Sequence, residues 1–104
     1  MKKGSDRSVR YHHEFHLDVL SDAQWYDKRS TGLGGRFVEM VQDACNALIA
    51  DPERRNDAEE YGIRYWPVQH FPHVVFYDFA DEEIQIVGVM HTSRQPDDWL
   101  ARRK

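Results

Sequence analysis

The stretch of this chain richest in reactive groups is His91-Thr92-Ser93-Arg94-Gln95-Pro96-Asp97-Asp98-Trp99. It leaves an apolar run and offers hydroxyl and guanidinium donors, a titratable ring and an indole. Arg64 and Tyr77 lie on segments that read as strands and could approach it. Such a set could grip a phosphate or carboxylate, or do acid–base work on RNA, with His91, Arg94 and Arg64 as the catalytic groups. A second role for the same residues is structural: His91 and Arg94 pair with Asp97 or Asp98 to lock the tail, while Trp99 packs on the core. The two roles are compatible.

Other constellations are weaker. His12, Glu14 and His16 alternate along a segment that reads as a strand, so they would share one face and could ligate one ion. No second segment brings ligands at a diagnostic spacing, and no paired-cysteine motif exists, so neither metal nor cofactor is expected. His13 would face the core. Gly32-Leu33-Gly34-Gly35 precedes a helix, where backbone amides can hold a phosphate. The lysine and hydroxyl of a P-loop are missing, and Phe37 stands where a dinucleotide fingerprint wants its third glycine. A turn between helices is the better reading. Cys45 falls on or beside an apolar helical stripe and reads as a buried small hydrophobe rather than a nucleophile.

The elements that must position these groups follow from periodicity. Val9, Tyr11, His13, Phe15 and Leu17 alternate with polar residues, predicting a strand over 9–17. Ser21 and Gln24 have capping-box spacing, and Leu20 and Trp25 staple spacing, predicting a helix from Ser21 to near Ser30. Phe37, Val41, Ala44 and Leu48 mark one face of a second helix, widened by Val38, Cys45 and Ile49 and stopped at Asp51-Pro52. The two helices should form an antiparallel pair. Residues 52–62 read as a charged loop. Strands are expected at Ile63–Trp66, His73–Phe79 and Ile84–Met90, the last two joined by a hairpin turn at Ala80–Glu83 and lying centrally in the sheet. Pro96–Trp99 should begin a short helical turn. The order β-α-α-β-β-β predicts an α+β domain, a helical hairpin on a twisted, mostly antiparallel sheet of about four strands. Residues 1–8 are expected to be a flexible N-terminus, and 9–104 the single domain.

Size and charge narrow the function classes. With 104 residues the chain is one ordinary domain, and its single cysteine excludes an internal disulfide. It shows neither a signal peptide nor an apolar run of membrane-spanning length, so a cytoplasmic location is expected. The formal net charge of -4 counts against a free-standing nucleic-acid binder. Basic residues gather at the two ends, and acidic ones at 57–60 and 78–83.

Several segments together resemble a known family. They are Asp22-Ala23-Gln24-Trp25-Tyr26, Gly32-Leu33-Gly34-Gly35-Arg36-Phe37, Asp51-Pro52, Phe71-Pro72-His73-Val74-Val75-Phe76-Tyr77, and Val89-Met90-His91 with Arg94, Pro96 and Trp99. In this order and spacing they are similar to the RelE/ParE superfamily of type II toxins, the plasmid-stabilisation toxins, on the ParE-like branch. The resemblance implies a helical hairpin on a sheet and a cognate antitoxin that wraps the toxin. It implies one of two targets: DNA gyrase for ParE-like members, or messenger RNA on the ribosome for RelE-like ribonucleases.

The residues favour the gyrase branch. The sheet strands hold no lysine, and Trp99 stands where cleaving relatives often carry a tyrosine, an exchange that removes an acid–base group. A metal-independent ribonuclease and a non-toxic interaction module are the alternatives. Target contact is expected from Arg64, Tyr77, His91, Arg94 and Trp99. The antitoxin is expected in an apolar groove near Trp25, Tyr26 and Phe37. A homodimer, or a heterotetramer with the antitoxin, is compatible with this reading.

Overall fold

The computed structural model describes residues 8–54 and 63–93. In chain order the elements are β1 (Ser8–Tyr11), α1 (Phe15–Arg29), α2 (Leu33–Ala50), β2 (Arg64–Pro67), β3 (His73–Ala80) and β4 (Glu83–His91). The four strands form one sheet in the order β1-β4-β3-β2, with β1 parallel to β4 and the other neighbours antiparallel. This is the α+β hairpin-on-sheet architecture expected from the sequence, with β3 and β4 central. Ser8, expected in the N-terminal tail, pairs with Glu83 as the first residue of β1; the rest of that expected tail, residues 1–7, lies outside the described residues. The same holds for most of the 52–62 loop and for the turn at Pro96–Trp99.

The first strand and helix divide differently from their expected boundary. β1 stops at Tyr11, and α1 begins at Phe15 rather than Ser21. The reason is that Phe15, Val19, Ala23 and Tyr26 recur at helical spacing and turn toward the core. Their burial outweighs a continuation of period two. Ser21 and Gln24 therefore sit inside the helix, not at a cap. Leu17 and Leu20, 61% and 55% exposed, point away from the core. His12, Glu14 and His16 do not share a strand face, and the His13 side chain is 81% exposed rather than facing the core.

α2 follows its expected stripe. Phe37, Val41, Ala44, Cys45 and Leu48 are buried, while Val38 stays exposed at the margin. The glycine turn has two separate causes. Gly32 caps α2 with φ of 91°, a left-handed conformation that L side chains avoid. Gly34 lies so close to α1 that a Cβ there would meet the Ala23 carbonyl oxygen at 2.3 Å. Its amide donates to Asp27 Oδ1 at 2.7 Å, so α1 satisfies one of the free N–H groups at the start of α2. A carboxylate thus occupies the place where a phosphate would have to sit.

The hairpin β3–β4 turns through Asp81 and Glu82, with φ of 54° and 61°. Positive φ at both central residues is the I′ geometry that matches strand twist. Further along, Tyr77 pairs with Ile86 but Phe76 with Gly88, which leaves Val87 as a bulge. The bulge switches the side-chain parity of β4. Ile84 and Ile86 pack on the helix-side core before it, and Val89 does so after it. Val87 and Met90 join Ile63, Val74 and Phe76 in a second cluster on the other face. Burial on both faces explains the near-continuous apolar run over 84–90.

Candidate functional site

Among the described residues, Arg64 and Tyr77 do not converge with His91. Arg64 and Tyr77 are register partners on β2 and β3, and both serve the end of α2. The Tyr77 hydroxyl donates to the Pro52 carbonyl at 2.8 Å, and Arg64 Nη1 donates to the same oxygen at 3.0 Å. Tyr77 is fully buried. Its inclusion among target-contacting residues is therefore corrected: the ring is core, and its hydroxyl is spent on a carbonyl left free after α2. His91 pairs with His73, four positions along β3 from Tyr77. That places His91 about 13 Å along the sheet and roughly 10 Å across it from Arg64, at standard strand spacings. One phosphate cannot be gripped by both. Arg94 and Trp99 lie outside the described residues.

His91 instead joins a different group. It is exposed, its Nδ1 accepts the Ser93 amide proton at 3.1 Å, and its ring meets the His73 ring edge-on at 5.2 Å. His73 is 4% exposed, with Nε2 3.4 Å from Asp22 Oδ2 and Nδ1 buried without a partner. Its ring also meets Tyr26 and Phe37. One turn before Asp22 on α1, Asp18 accepts the Val89 amide proton at 3.0 Å. Leu17, Asp18, Ser21 and Asp22 of α1 and Val89, Met90 and His91 of β4 line a recess of about 250 Å³. Sequence reasoning missed Asp18, Asp22 and His73 as site residues, although Asp22 and His73 lay within quoted motif segments. No local pattern links an aspartate on the first helix to a histidine on the third strand.

The residues expected to meet an antitoxin divide in two. Trp25 is 51% exposed, with the Arg29 guanidinium 3.7 Å above its ring. Tyr26 is half-buried, its ring packed on Phe37 and Phe71. Burial raises the Tyr26 phenol above its ordinary pKa, with Asp22 adding to the effect. Phe37 is fully buried, so as a direct contact residue it is corrected: it supports Tyr26 from beneath. Leu17, Leu20 and Trp25 form the exposed apolar surface of α1.

Among the described residues, His12, His13 and Glu14 bring possible metal-ligating atoms within 4.8 Å of one another. His12 Nδ1 already accepts the Glu14 amide proton at 3.1 Å. A neutral histidine whose Nδ1 accepts carries its proton on Nε2, so metal binding would have to break that bond. Cys45 is 5% exposed, and burial pushes its thiol up to about 12. No described helix is long and apolar enough to cross a membrane.

A helical hairpin over a four-stranded mixed sheet, with exposed apolar side chains on the first helix, defines the class as a small α+β domain. A profile of the family described as "ParE toxin of type II toxin-antitoxin system, parDE" matches residues 9–96, and the chain belongs to that family. Among solved structures, a chain of the chromosomal ParDE TA system from P. aeruginosa has the same fold, with a TM-score of 0.72 at 15% identity. The match covers 82% of this chain and 95% of that one. No curated protein matches.

Proposed function

We propose that this ParE-family toxin acts in the cytoplasm by binding DNA gyrase, and that a cognate antitoxin neutralises it by covering the exposed face of α1. The observation that carries the target choice is the separation of the two described ribonuclease candidates, Arg64 and His91. Arg64 is engaged with Pro52 at one end of the sheet, and His91 stands among the carboxylates of Asp18 and Asp22 at the other. Metal-free RNA cleavage needs an acid, a base and cations around one phosphate. An acidic recess repels that phosphate. The net charge of -4 also suits a protein target better than ribosomal RNA.

The antitoxin surface is supported by Leu17, Leu20 and Trp25, large apolar side chains left outside on one helix. Two assays test the reading. Purified protein should inhibit gyrase supercoiling at stoichiometric amounts while leaving ribosome-bound transcripts intact. Transcript cleavage lost on His91→Ala would establish the ribonuclease instead. Harmless expression together with tight binding to the product of the adjacent reading frame would mark a non-toxic interaction module.

A further inference from the structure

The turn between β1 and α1 brings three metal-ligating residues together in consecutive positions. The His12 amide donates to the Ile86 carbonyl at 2.9 Å, and the His12 carbonyl accepts the Phe15 amide proton at 2.9 Å. These two bonds tie the turn to β4 on one side and to α1 on the other. His12, His13 and Glu14 leave it with ligand atoms within 4.8 Å of one another. The two imidazole rings lie nearly parallel, with centroids 4.3 Å apart and planes at 26°. His13 Nε2 stands 3.8 Å from Glu14 Oε2. A strand here would group His12, Glu14 and His16; the turn groups His13 with the first two instead.

Donors around one Zn²⁺ lie roughly 3.0–3.5 Å apart, given metal–ligand bonds of about 2.0–2.2 Å. The His13 and Glu14 side chains are 81% and 44% exposed, so side-chain rotation can close the remaining distance and an ion can enter from solvent. Two imidazole nitrogens and a carboxylate oxygen suit Zn²⁺, Ni²⁺ or Cu²⁺, whereas Mg²⁺ and Ca²⁺ take oxygen ligands. The start of a helix disfavours a cation through its macrodipole. The carboxylates of Glu14 and of Asp18, in the first turn of α1, oppose that effect.

We propose that the turn His12-His13-Glu14 binds one divalent ion of the Zn²⁺ class, through Nε2 of both histidines and the Glu14 carboxylate. His12 Nδ1 is turned inward and accepts the Glu14 amide proton at 3.1 Å, so the neutral ring carries its proton on Nε2. An ion at Nε2 takes that position, the proton moves to Nδ1, and the ring stays neutral. Nδ1 then no longer accepts, and the bond to the Glu14 amide opens. Ion binding therefore loosens the start of α1, and this cost holds the affinity to the micromolar range rather than that of a closed structural site.

The test titrates Zn²⁺ alone into the purified full chain at neutral pH, by calorimetry. One ion should bind per chain. His13→Ala removes an exposed side chain and leaves the fold in place. It should weaken binding by more than the about 10–100-fold that follows loss of a residue which merely orients a ligand. Glu14→Gln should weaken binding too, while His70→Ala, at an exposed histidine outside the turn, should leave it unchanged. Zn²⁺ should also speed hydrogen exchange of the Glu14 amide and move the His12 proton to Nδ1, read from the ring nitrogen shifts by NMR. Mg²⁺ should do neither. Heat that does not saturate, or an affinity unaltered by His13→Ala, overturns the site. Saturable binding with an undisturbed Glu14 amide removes His12 from the ligands and overturns the three-ligand arrangement.

Discussion

Single side chains in this protein are set by what surrounds them more than by their type. Arg64 and Tyr77 are residues a reader would place at a phosphate, yet both close off the Pro52 carbonyl. Cys45 is the plainest case. Burial holds its thiol near 12 against an ordinary 9.0, so the thiolate is scarce at neutral pH. The folded state keeps its proton more tightly than the unfolded chain does. The associated stability is therefore present in full below about 9 and is lost as pH rises toward about 12. The loss is on the order of 3–4 kcal/mol across that window. Urea midpoints measured from pH 8 to 10.5 should fall more steeply in the wild type than in Cys45→Ala. Iodoacetamide should label the thiol only as the protein unfolds. Rapid labelling of the native state would contradict the buried assignment.

At the level of elements, the close contact between α1 and α2 is the most sharply determined joint. A methyl at Gly34 would strike the Ala23 carbonyl oxygen and the Asp27 carboxylate, whereas one at Gly35 meets nothing within 4 Å. Gly34→Ala should cost about 1–3 kcal/mol as the helices are forced apart. Gly35→Ala should gain about 0.5–1 kcal/mol, because alanine loses less backbone freedom in a helix. Thermal denaturation of the two variants should shift in opposite directions. Such a joint also shows what the sequence makes legible. The glycine run plainly marked a turn, but which glycine needed a bare backbone depended on α1 lying across it. The later strands were readable because burial on both faces wrote apolar runs into the chain. The boundary between β1 and α1 was not, because residues 9–17 satisfy period two while Phe15, Val19 and Ala23 already satisfy the helical period. Only the core that those three residues enter decides between them.

For the molecule as a whole, the question is which apolar surface builds the core and which is left for a partner. The sequence placed Trp25, Tyr26 and Phe37 together in one groove, and the fold sorts them by depth. Phe37 is 0% exposed beneath Tyr26, while Trp25 is 51% exposed. Depth could not be read from the chain, since all three are aromatic residues within helical segments. The recess lined by Asp18, Asp22 and His91 was illegible for a related reason: it exists only where the first helix crosses the last strand. Depth also separates two effects that alanine scanning would otherwise confuse. Phe37→Ala should cost about 3–5 kcal/mol of stability, a large share of the roughly 5–15 kcal/mol a domain possesses. Any loss of antitoxin binding in that variant follows from unfolding. Trp25→Ala should change stability by less than about 0.5 kcal/mol, as exposed positions do. If α1 carries the antitoxin, the same substitution should remove about 2 kcal/mol or more of binding, as anchoring aromatics do. Calorimetric titration of a folded Trp25→Ala variant decides the matter. Full affinity there would move the antitoxin off this face of α1.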